Sequence, residues 1–221
     1  MDIAGLVNTS SKGLIMDALF NPSSKKSIDQ VASDMLVSKE PIVDNYSGTL
    51  VNQEDSAAIS NFASKLSSID KELKAAGNTK GSDGLRELAK QFASKPEEFN
   101  KFMKSVDNLD AKGFQKVFST ASDVADKGLS VEKFANTLGS ISDEKLAEDF
   151  VDFTNKIIDD TKSGDSDKAK VFNKLASAVA TVEDSDLKQT EKEEALTGLF
   201  STAAKSTSLT ELETALDKFL K

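Results

Sequence analysis

The chain has 221 residues, 38% of them hydrophobic and 29% charged, a balance that suits a folded globular protein rather than a disordered one. Its formal net charge of −9 disfavours nucleic acid and anionic membrane surfaces, because both are gripped by cationic side chains. Cysteine, histidine and tryptophan are all missing, which excludes disulfides, ordinary zinc sites and any Ser-His or Cys-His nucleophile.

Residues 1–55 read differently from residues 56–221, and two domains are expected on that division. In the first, Ile3, Leu6, Val7, Leu14, Ile15, Ala18 and Leu19 are compatible with a helical stripe interrupted by Gly5 and Gly13. Asn21-Pro22-Ser23-Ser24 reads as a loop, and Ser27 suits the cap of a short helix carrying Ile28, Val31, Met35 and Leu36. Ile42-Val43 and Leu50-Val51 flank Asp44-Asn45-Tyr46-Ser47-Gly48, a pattern compatible with a small hairpin.

From Ser56 the pattern is helical. Ile59, Phe62, Leu66, Ile69 and Leu73 recur at steps of three and four, the spacing of one helix face. Gly77 through Gly84 reads as a glycine-rich break before a helix marked by Leu85, Leu88 and Phe92. Pro96 suits the first turn of the next helix, whose apolar face is Phe99, Phe102, Met103 and Val106. Asp110 is expected to cap a helix bearing Phe114, Val117, Phe118, Ala121 and Val124, and Gly128 to end it in the left-handed conformation. Ser130 opens a short helix with Phe134, Leu138 and Ile141, and Ser142 a longer one with Leu146, Phe150, Phe153 and Ile157. After Gly164 comes a face of Phe172, Leu175, Val179 and Val182. Thr190-Glu191-Lys192-Glu193 and Ser208-Leu209-Thr210-Glu211 read as capping boxes for two last helices.

These segments echo one another. Phe62-Ala63-Ser64-Lys65-Leu66-Ser67-Ser68-Ile69 and Phe134-Ala135-Asn136-Thr137-Leu138-Gly139-Ser140-Ile141 share Phe, Ala, Leu, Ser and Ile in register, and related stretches start at Phe99 and Phe172. The period is about 36 residues, a length that suits stacked helical hairpins. The expected fold is therefore all-α. It is either an irregular multi-helix bundle or a short α-solenoid of about four helix-hairpin units, preceded by a less regular N-terminal segment. Phe62, Leu66, Ile69, Phe99, Met103, Val106, Phe134, Leu138, Ile141, Phe172 and Val179 are the expected core.

Chemistry is harder to place. The stretches from Asp107 and Asp123 have an EF-hand flavour, which makes a degenerate cation-binding protein one reading. Counting from Asp107 puts Leu109, Ala111 and Phe118 at loop positions 3, 5 and 12, where oxygen ligands are required. Counting from Asp123 puts Gly128 correctly at position 6 but Ala125, Lys127 and Phe134 at the ligand positions. Helix caps explain the same residues, so no metal and no cofactor are expected. Neighbouring carboxylates such as Asp149 with Asp152, or Glu193 with Glu194, are what solvated helix faces produce in an acidic chain. Gly81-Ser82-Asp83-Gly84 lacks the Gly-Lys-Ser/Thr of a phosphate loop. Arg86, the sole arginine, reads as a solvated helix residue near Glu87.

The expectation is a non-enzymatic protein that binds a protein partner, or its own copies, through a helical face or an N-terminal apolar helix. Leu6, Leu14, Ile15, Leu19 and Phe20 are the candidate partner-binding residues, because they form an apolar strip outside the repeat register. No apolar stretch approaches the ~20 residues of a membrane span, and the start has no basic n-region of a secretory signal. A soluble cytoplasmic protein is expected, or a leaderless exported component of a bacterial surface or secretion apparatus.

Overall fold

A computed structural model describes residues 53–92 and 96–220. Among the described residues there are nine helices and no strand. They are α1 (Gln53–Ala75), α2 (Thr79–Phe92), α3 (Pro96–Val106), α4 (Ala111–Asp126), α5 (Val131–Ser140), α6 (Glu144–Asp159), α7 (Asp165–Glu183), α8 (Gln189–Ala204) and α9 (Leu209–Phe219). The all-α expectation holds.

The chain divides into two compact units. One takes its described residues from Met1–Gly77 and Ala89–Phe99, and the other from Asn78–Leu88 and Asn100–Lys221. In the first unit Leu66, Ile69 and Leu73 of α1 are buried at helical spacing. The ring of Phe99 meets two others edge-on: Phe62 at 4.9 Å between centroids and Phe92 at 5.6 Å. Edge-to-face pairs place the positive ring edge on the negative face of its neighbour, which adds to the area they bury.

In the second unit helices two apart in sequence pack together: α4 on α6 and α6 on α8, α5 on α7 and α7 on α9. Consecutive helices from α4 to α9 also touch. This makes two rows of stacked helices, the arrangement expected of a repeat whose units cannot bury their apolar faces alone. The bonds that run along the rows span about one repeat. Ser105 Oγ donates to the carbonyl of Ile141 at 2.9 Å, and Thr120 and Asn155 exchange hydrogen bonds at 2.9 and 3.1 Å. Phe150 lies stacked on Phe134, and Phe200 on Phe153. All eleven residues expected in the core are buried.

Local signals account for most helix ends. Asp110 Oδ1 accepts from the amide of Gly113 at 2.6 Å, and Ser130 Oγ accepts from that of Lys133 at 3.1 Å. Gly128 has φ +65°, a conformation only glycine adopts without steric cost. Lysines close several C-termini: Lys168 Nζ donates to the Ile158 carbonyl at 2.7 Å, Lys156 Nζ to Ser206 at 2.7 Å, and Lys192 Nζ to Glu183 at 2.5 Å. An ammonium there satisfies a carbonyl left without an intrahelical donor and meets the negative end of the helix dipole.

Four sequence expectations are corrected. The glycine-rich break is shorter than expected: Gly77, at φ +72°, follows the end of α1, but α2 begins at Thr79 and carries Gly81 and Gly84 inside it. Asn78 starts it, accepting from the Gly81 amide at 2.8 Å while its amide nitrogen donates to the Gln115 carbonyl at 3.2 Å. The cap of α6 is Asp143 rather than Ser142, because the Asp143 carboxylate takes the amide of Leu146 at 2.9 Å. α8 begins at Gln189, before the expected Thr190 cap, and Glu191 reaches back to the amide of Lys188 at 2.8 Å. At α9 Ser208 does cap Glu211, but the Glu211 carboxylate accepts from Thr207 instead of closing a box on Ser208.

Candidate functional site

The row α5–α7–α9 carries the candidate site. α5 turns Val131, Phe134, Ala135 and Leu138 into the core, and α7 does the same with Val171, Phe172, Leu175 and Val179. Beside those apolar stripes run small and polar residues, Asn136, Thr137 and Ser140 on α5 and Ala176, Ser177 and Ala180 on α7. Their side chains are too short to fill the valley between the two helices, and a groove of about 410 Å³ is left.

Several of its polar groups are already engaged. Lys133 Nζ bridges the helices by donating to Asn173 Oδ1 at 2.8 Å. Ser140 Oγ donates to the Thr137 carbonyl at 2.7 Å. Glu132, Glu183 and Asp184 complete the lining, so carboxylates outnumber the single ammonium. Burial pushes the Glu183 carboxyl above the usual carboxylate range, and the Lys192 ammonium opposes that shift. A carboxylate stripped of part of its water is one that favours a cationic neighbour.

A second depression of about 240 Å³ lies between α8 and α9, lined by Leu199, Ala203, Leu216 and Phe219 among others. Phe219 and Leu220 are exposed beside it.

The other candidates resolve into structural roles. Asp123 pairs with Lys80 at 2.5 Å, and Asp110 is a cap, so these carboxylates of the EF-hand-like stretches are engaged in the fold. Among the described residues no group of three or more acidic side chains is placed to hold a metal ion. Asp152 pairs with Lys116, whereas Asp149 is raised by burial against the pull of Lys145. Arg86 donates to Asp83 one turn earlier, at 2.6 Å. No helix of the described residues is long and apolar enough to cross a membrane. The expected partner-binding residues Leu6, Leu14, Ile15, Leu19 and Phe20 lie outside the described residues.

Sequence reasoning missed the α5–α7 groove. The signal present was a second stripe on each helix: Asn136 and Ser140 four apart, Ala176 and Ala180 four apart, each beside the apolar face. No protein-family model, no curated protein and no solved structure matches this chain.

Proposed function

We propose that this is a non-enzymatic helical interaction protein that holds a protein partner in the groove between α5 and α7. The observation that supports this best is the groove itself, which is formed by two helices stacked through the repeat and edged by short side chains. Stacked hairpins give a wall whose backbone is rigid, so a groove on it is preorganised and little ordering entropy opposes binding. Two of its hydroxyls, those of Ser130 and Ser140, are engaged with backbone groups, which favours holding over catalysis.

A random-peptide display selection on the full chain tests the reading, with Ala180→Arg as the groove-filling variant. Ala180 is half-buried, so the long side chain has room to lie along the valley while the fold persists. The expected result is a set of peptides that lose at least about tenfold in affinity, or about 1.4 kcal/mol, for the variant. Peptides that bind the variant as well as the parent would place recognition elsewhere. Removing residues 1–22 then asks whether the strip of Leu6, Leu14, Ile15, Leu19 and Phe20 carries it. Sedimentation of the parent and of the truncated chain reports self-association by the same strip.

A further inference from the structure

We infer that the occupant of the α5–α7 groove is an extended peptide segment carrying lysine or arginine, whose cationic group is received by Glu183 at the C-terminal end of α7. This rests on the reading of the groove as a partner site and adds the chemistry of the partner.

Charge is the first argument. Glu183 and Asp184 sit side by side in the lining, and the one ammonium of that lining, Lys133, already donates to Asn173. The second argument is position. Glu183 is the last residue of α7, where the negative end of the helix dipole adds to the charge of the side chain. The chain's own Lys192 demonstrates the attraction, donating to the backbone carbonyl of Glu183 at 2.5 Å. Even with that ammonium nearby, desolvation outweighs it at the Glu183 carboxyl. A second cation would therefore relieve a penalty the fold already bears, which is what makes pairing favourable at a partly buried group.

Shape favours a peptide over a free amine. The α5 edge runs from Ser130 to Ser140, ten residues of rise or roughly 15 Å. That matches about four or five residues of extended chain. Small apolar side chains at Ala176 and Ala180 leave room for the backbone of such a segment.

The test is titration of the full chain with a fluorescent peptide of alternating lysine and alanine, a counterpart with glutamine in place of lysine, and spermidine as competitor. The lysine peptide should bind, with affinity falling as salt rises. The glutamine peptide should bind at least about tenfold more weakly. Glu183→Gln should weaken the lysine peptide about fivefold, the upper range for a partly exposed ion pair. Ala180→Arg should abolish its binding, and circular dichroism melts of both variants establish that they fold.

If the glutamine peptide binds as tightly as the lysine peptide and Ala180→Arg still abolishes both, the cation assignment is overturned while the groove remains a partner site. If the lysine peptide binds Ala180→Arg undiminished, the groove reading falls as well. Displacement of the peptide by equimolar spermidine would assign the site to a free polyamine and overturn the peptide. Absence of lysine-peptide binding up to millimolar concentration overturns the inference, and the display selection then stands as the separate test of the groove.

Discussion

Gly84 and Phe118 meet backbone to backbone: a Cβ placed on Gly84 would lie 1.8 Å from the carbonyl oxygen of Phe118 and 2.9 Å from the amide nitrogen of Ser122. The close approach of α2 to α4 therefore depends on the absence of a side chain at one position.

Three Gly→Ala substitutions should separate propensity from packing. Alanine gains up to about 1 kcal/mol over glycine inside a helix. At Gly84 the obstacle is backbone, which cannot rotate away, so an overpacking cost of about 1–3 kcal/mol or more outweighs that gain. Gly139→Ala meets the Phe102 backbone at 3.1 Å, and the two effects should nearly cancel. Gly198, inside α8 with nothing within 4 Å, should become more stable by about 0.5–1 kcal/mol. Urea midpoints measure all three. Equal behaviour at Gly84 and Gly198 would refute the close approach.

Phe134 is fully buried and stacks on Phe150 at 5.8 Å. Phe134→Ala should cost about 3–5 kcal/mol in chemical denaturation. A loss below about 1 kcal/mol would be typical of a surface position and would remove Phe134 from the repeat core.

The attachment of α9 should weaken in acid. Lys170 and Lys174 of α7 hold the Glu213 carboxyl below its ordinary value of 4.5. A lowered folded value means that the folded state favours the charged form. The contribution is then fully present above 4.5 and is lost as pH falls through the folded value. Glu213→Gln should be less stable than the parent at pH 7, and the difference should close in acid. Hydrogen exchange of the α9 amides follows the same loss locally. A difference that persists unchanged in acid would mean the ion pairs are not its source.

Glu183 should behave in the opposite sense. Burial raises its carboxyl above 4.5, so its contribution to stability is present below 4.5 and disappears as pH rises through the folded value. At neutral pH the ionised group opposes folding. Glu183→Gln is expected to be slightly more stable than the parent at pH 7 and no more stable in acid. Destabilisation by this substitution at pH 7 would show that the carboxylate is satisfied by a partner within the fold.

Helices, their apolar faces and several of their ends were readable along the chain because the forces that set them are short-range. A cap such as Asp110 reaches three residues, and a face such as Phe134-Leu138-Ile141 repeats within two turns. The 36-residue echo was readable too, since stacking imposes the same apolar pattern on each unit. Gly77 does end a helix, but Gly84 was misread because glycine serves equally as a breaker and as a point of close approach, and only the position of Phe118 distinguishes the two. Ser142 and Asp143 are both good caps, and the choice depends on which carboxylate or hydroxyl reaches Leu146 once the chain has turned. The groove depended on assembly alone. Asn136 and Ala180 look like ordinary solvated positions until α5 is laid against α7, because a cavity belongs to the space between two helices about forty residues apart and to neither of them separately.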